Sequence, residues 1–110
     1  MPKHSFCIMD RAPRPGEWYS DYDPWDFYPE VVIDDIYLEE QLGRFNAIPC
    51  YWQTLDQPGG GLDYCGITLI PPGSIPAFLA VARALPGFGP LLPLLEQAER
   101  EGKFVIHFGI

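Results

Sequence analysis

Ala47-Ile-Pro-Cys-Tyr-Trp-Gln-Thr-Leu55 and Leu62-Asp-Tyr-Cys-Gly-Ile-Thr-Leu-Ile70, with Pro58-Gly-Gly-Gly61 between them, decide how the fold is read. Both runs are rich in β-branched and aromatic residues, and the proline and glycines between them are turn chemistry, so the stretch predicts a β-hairpin. Side chains on a strand alternate between faces. Ile48, Cys50 and Trp52 therefore share one face of the first strand, and Cys65, Ile67 and Leu69 share one face of the second. A phosphate loop would join a strand to a helix whose N-terminus faces the anion. The glycines at 59–61 join two strand-like runs, so they read as a hairpin loop.

Downstream, Pro71-Pro-Gly73 ends the hairpin and Ser74 is placed to cap a helix reaching about residue 85. Ile75, Phe78, Leu79, Ala82 and Leu85 form its apolar stripe at helical spacing. Pro86-Gly-Phe-Gly-Pro90 breaks the chain. A last helix then runs to Glu101 with Leu91, Leu94, Leu95 and Ala98 inward and Gly102 as its natural stop. Residues 103–110 read as a closing strand, with Phe104, Ile106, Phe108 and Ile110 on one face and His107 on the other. Upstream, residues 5–10 and 30–33 predict short strands, and Asp34 or Asp35 could cap a two-turn helix through Leu42. The order β-β-α-β-β-α-α-β predicts an α+β fold. Its economical form is a mostly antiparallel sheet of four to five strands with two or three helices packed on one face.

The chain of 110 residues fits one domain, 1–110, and its 47% apolar content is enough for a core without disulfides or metal. The N-terminus has no continuous apolar run of the signal-peptide kind, and no window approaches the roughly 18 apolar residues of a spanning helix. Cytoplasmic localisation is the expectation, and three cysteines in no zinc spacing fit a reducing compartment. Cys7, Cys50 and Cys65 all fall in apolar strand-like runs and are expected to be buried thiols. His4-x-x-Cys7 has no second pair to complete a tetrahedral site. His107 with a cysteine would make a nucleophilic pair only if a basic neighbour lowered the thiol pKa, and none is present. Asp21-x-Asp23-x-x-Asp26 puts an aspartate where a calcium loop needs glycine. No metal, no cofactor and no catalytic residue is assigned.

Net charge is −8, and it is concentrated in one block. Residues 17–40 hold nine acids and no Lys or Arg, whereas the rest of the chain sets six acids against all seven basic residues. Such a block projects a negative field on one side of the molecule and repels nucleic acid and anionic membrane alike. Within it, Glu17-Trp-Tyr-Ser-Asp-Tyr-Asp-Pro-Trp-Asp-Phe-Tyr-Pro-Glu30 interleaves aromatics with carboxylates. Two readings stand side by side. The segment folds its aromatics under itself to cover an open sheet face, or it presents them as a protein-binding surface whose acids steer a basic partner. On the second reading Asp21, Asp23, Asp26, Asp34 and Asp35 face the partner and Trp18, Tyr22 and Trp25 are its anchors.

In size, charge and layout the whole chain resembles the immunity proteins of bacterial polymorphic toxin and contact-dependent inhibition systems. The closing Lys103-Phe-Val-Ile-His-Phe-Gly-Ile110 and the stretch Tyr64-Cys-Gly-Ile-Thr-Leu-Ile-Pro-Pro72 look like segments of small bacterial proteins of that sort. The resemblance implies a non-enzymatic inhibitor that binds a basic toxin or nuclease domain and occludes its active site. Two other classes stay open. One is a small enzyme or small-molecule binder with a pocket beneath 17–29, where Asp26 and Glu30 serve as acid and base. The other is a homodimer or larger homo-oligomer that buries the aromatics between subunits.

Overall fold

The computed structural model describes residues 2–20, 22 and 27–110. Among these residues six strands form one sheet: β1 (Lys3–Ile8), β2 (Val31–Asp34), β3 (Pro49–Trp52), β4 (Pro58–Gly60), β5 (Ile67–Ile70) and β6 (Val105–Phe108). Their order across the sheet is β2-β1-β6-β5-β3-β4, and every neighbouring pair is antiparallel. Two helices, α1 (Ile75–Ala82) and α2 (Leu92–Glu101), pack on one face. The fold is α+β, as the apolar periodicities predict. None of its helices, among the described residues, is long and apolar enough to cross a membrane.

The extra strand comes from the glycines. The expected partners are indeed paired, since Tyr51 opposes Leu69 and Trp52 opposes Thr68. The chain between them does not turn at 58–61, however. Pro58–Gly60 runs back along the outer side of β3 as β4. A side chain at Gly59 would strike the Trp52 indole, and one at Gly60 would strike the Asn46 carbonyl, so this edge forms only because those positions have none. The turn leading into β5 lies later, where the Gly66 amide donates to the Asp63 carbonyl (3.2 Å). Cys65 falls in that turn and is exposed, a correction to its expected burial on a strand. Cys7 and Cys50 are buried.

The helix expected from residue 34 or 35 to 42 is replaced by two 3-10 turns, Asp35–Tyr37 and Leu42–Phe45. Neither aspartate caps a helix: Asp34 makes no side-chain cap, and the Asp35 carboxylate is committed inward. Ile36 and Tyr37 are exposed while Leu38 is buried, so this segment lacks the repeating stripe that holds a short helix onto a core. Ser74 likewise caps nothing in its own helix; its hydroxyl donates to the Pro49 carbonyl (2.5 Å) and ties the start of α1 to β3. Gly102 ends α2 in the left-handed region (φ 65°), with the Lys103 amide donating back to Ala98 (3.0 Å).

The sheet has a core on each face. Under the helices, Phe6, Ile8, Ile33, Ile70 and Val105 meet Ile75, Phe78, Leu79, Leu95 and Ala98. On the other face Cys7, Met9, Ile67, Leu69 and Ile106 are covered by Tyr19, with Tyr22, Tyr28 and Phe104 packed against them. Phe104, Ile106 and Phe108 do share a face, but it is this one rather than the helix-covered one.

Candidate functional site

Part of the acidic aromatic segment is a lid on the second core. Tyr19 is fully buried, and its hydroxyl accepts from the Arg14 amide (2.9 Å) and donates to Glu17 (2.9 Å). Glu17 is gripped by the Arg11 guanidinium through two bonds of 2.9 and 2.6 Å. That fork, followed by the Tyr19 hydroxyl, holds the Glu17 carboxyl down to about 2. Tyr22 packs edge-on to Tyr19, lies under Arg11 and donates to Asp10. Burial first, and the Asp10 carboxylate second, push its phenol well above the usual range. Tyr22, expected as a partner anchor, is thus engaged within the fold. The described aromatics Tyr19, Tyr22 and Tyr28 sit against the sheet beneath this segment.

Trp18 behaves differently: 59% of it is exposed. The same holds for Phe27 (67%), Val32, Ile36 (62%) and Tyr37. These five, all between residues 18 and 37, are joined by only Ile110 as exposed large hydrophobics among the described residues. They coincide with the acidic block. Glu30, Glu39 and Glu40 are exposed beside them and Asp34 is half-buried. β2 is an outer strand of the sheet, so Val32 stands on a strand whose far side has no neighbour in the sheet among the described residues. Asp21, Asp23, Trp25 and Asp26, the other expected contacts, lie outside the described residues.

Asp35 turns away from this surface. Its Oδ2 accepts from the Tyr64 hydroxyl (2.6 Å) and its Oδ1 from His4 Nε2 (2.9 Å). His4 Nδ1 meets His107 Nε2 (2.9 Å), and His107 Nδ1 meets the Thr68 hydroxyl (3.1 Å), which accepts from the Asp63 amide (2.8 Å). Both imidazoles and Thr68 are completely buried on the helix side of β1, β6 and β5. With both rings neutral the bonds run one way. Thr68 donates to His107, His107 donates to His4, and His4 donates to an ionised Asp35, so every polar atom is satisfied. Burial, and then the proximity of His4, push the His107 pKa down to about 3. Hydrogen bonds from Tyr64 and then His4 keep the Asp35 carboxyl below its usual range, and Asp35 in turn pushes Tyr64 up to about 12.

This chain resembles an acid–base relay in its components, yet neither imidazole has any surface open to a substrate. Its effect is positional. It locks the turn that carries exposed Ile36 and Tyr37 to the interior of the sheet, so Asp35 is a brace for the acidic edge rather than a contact on it. Among the described residues, no group of three or more His, Cys, Asp or Glu is placed to hold a metal ion. The sequence does contain a signal for the chain: His4, Phe6 and Ile8 alternate on one strand, and His107 lies opposite the Phe104 and Phe108 face. It does not say that the two histidines meet. No protein-family model, curated protein or solved structure matches this chain.

Proposed function

We propose that this chain is an acidic, immunity-type inhibitor that docks on a basic toxin or nuclease domain and occludes its active site. The observation that carries this reading is that five exposed large apolar side chains fall between residues 18 and 37, inside the acidic block, with Val32 on the outer strand β2. Aromatic side chains dominate interface hot spots, and Trp18, Phe27 and Tyr37 are available in that role. Glu30, Glu39 and Glu40 supply the field that draws a cationic surface in. The outer edge of β2 offers backbone to an added strand. Tyr19 and Tyr22 instead brace the loop, which lowers the ordering cost of binding.

The test is co-expression with the product of the neighbouring gene, read as protection of growth and as a pull-down. Binding should associate faster at low salt, and Glu39→Lys with Glu40→Lys should slow association and flatten its salt dependence. Trp18→Ala should instead raise the dissociation rate. A wild-type chain that neither binds nor protects removes the reading.

A further inference from the structure

Where β2 meets the start of α2, the surface carries an apolar pit of about 160 Å³. Ile8, Val31 and Leu94 line it, and Pro29, Pro90 and Pro93 stand around them. Proline fixes its own backbone angle, so three prolines make walls that do not fold in to fill the space. An apolar concavity left open forfeits dispersion contacts along its lining, and an apolar group placed in it regains them. The rim is polar and tied together. Tyr28 and Gln97 border the pit, and both bond the Glu101 carboxylate, at 2.8 and 2.9 Å. These bonds, Gln97 first, hold Glu101 below its usual pKa, so the rim keeps its negative charge. Glu30 is exposed between the lining residues Pro29 and Val31, and exposed Phe27 lies just before Tyr28. Two cations act on Glu101: Lys103, which is engaged with the Asp10 carbonyl (3.3 Å) and lies 5.7 Å from the Tyr28 ring centre, and exposed Arg100.

Size and charge together select the occupant. Sites for drug-sized ligands run to about 300–1,000 Å³, whereas an apolar cavity of about 150 Å³ holds a single benzene ring. The pit therefore has room for one side chain. An apolar floor with the Glu101 carboxylate bonded into its rim and exposed Glu30 next to two of its lining residues favours an aliphatic or aromatic side chain with a Lys or Arg beside it. We infer that this pit receives one apolar anchor residue from a basic segment of the protein partner. This rests on the inhibitor reading and adds to it: the partner contact continues from the β2 edge onto the start of α2.

The experiment separates the pit from its occupant. Toluene is titrated against the whole chain while the methyl resonances of Val31 and Leu94 are followed. Saturable shifts are expected in the wild type and are lost in Val31→Phe, which fills the pit from within. Gln97→Trp covers it from the exposed side of α2 and keeps the test available if Val31→Phe folds poorly. Both variants should then weaken partner binding by roughly tenfold or more, through faster dissociation, with the salt dependence of association unchanged. Absence of a toluene response overturns the pit as an apolar site, whatever the partner does. Toluene binding together with unimpaired partner binding in both variants overturns the assigned occupant. Toluene binding by a chain that has no protein partner sinks the inhibitor reading, and the occupant with it, while leaving an apolar pit.

Discussion

The sheet ends at β4 on one side and at β2 on the other, and the two edges are guarded by opposite means. β4 is three residues long and consists of Pro58, which has no amide hydrogen, and two glycines, with the Trp52 indole over one of them. Such an edge gives another chain little to grip. β2 exposes Val32 between the acids Glu30 and Asp34, and its continuation exposes Ile36 and Tyr37 beside Glu39 and Glu40. Here the gatekeeper is charge. Like charges on a second copy of the same acidic chain would be repelled there, and a basic surface would be drawn in. The anchoring differs as well. The β4 edge depends on close backbone packing, whereas the β2 edge is tied to the interior by Asp35, His4 and His107.

That difference in anchoring predicts acid sensitivity on one side. His107 has a folded pKa near 3 against an ordinary value of 6.5, so the unfolded chain takes up the proton first. Its contribution is complete above about pH 6.5 and is lost as pH falls towards 3, at a limiting slope of about 1.4 kcal/mol per pH unit. Asp35, also depressed, acts in the same direction as pH falls below the ordinary carboxyl value of 3.8. Urea titrations from pH 7.5 to 4 should show this loss, and amide exchange should rise in β2 and residues 35–37 before it rises in β3 and β4. Simultaneous loss at both edges would break the distinction.

Next in size is His107→Leu, which leaves His4 Nδ1 and the Thr68 hydroxyl without their partner and should cost about 2 kcal/mol in urea unfolding at pH 7.5. The variant should also lose most of the slope between pH 6.5 and 4. Gly60→Ala sharpens the comparison from the other edge. Its methyl meets the Asn46 carbonyl, so the backbone must shift, and a cost of about 1–3 kcal/mol is expected from thermal or urea unfolding. The smallest effect belongs to Val32→Thr on the exposed β2 edge, which should change folding stability by no more than about 0.5 kcal/mol. A large loss there would mean that Val32 is a folding residue rather than a surface one.

Much of the architecture was legible because it depends on spacing. The stripes Ile75, Phe78, Leu79, Ala82 and Leu91, Leu94, Leu95, Ala98 are buried as their period requires, and Tyr51 and Trp52 pair with Leu69 and Thr68. The failures occur where a residue's role depends on something distant in the chain. Pro58-Gly-Gly-Gly61 reads as a loop by composition and becomes an edge strand because Trp52 and the Asn46 carbonyl approach it so closely. Asp35 reads as a helix cap or a surface acid and becomes a buried acceptor for Tyr64 and His4. Composition also does not say which aromatics of the acidic segment are covered: of those described, Tyr19 closes a core and Trp18 is exposed.

By itself the sequence determined the α+β class, the two helices, the antiparallel pairing around 47–70 and the concentration of charge in 17–40. Each of these follows from local periodicity or composition, which a linear chain carries without reference to its fold. Only the tertiary structure decided which of the described aromatics are core and which are exposed, that Val31–Asp34 is an outer strand, and that His4 meets His107 across 103 positions of sequence. Strand order sets those outcomes: β6 returns from the end of the chain to lie between β1 and β5, and only that placement aligns Thr68, His107, His4 and Asp35 into one buried chain of hydrogen bonds.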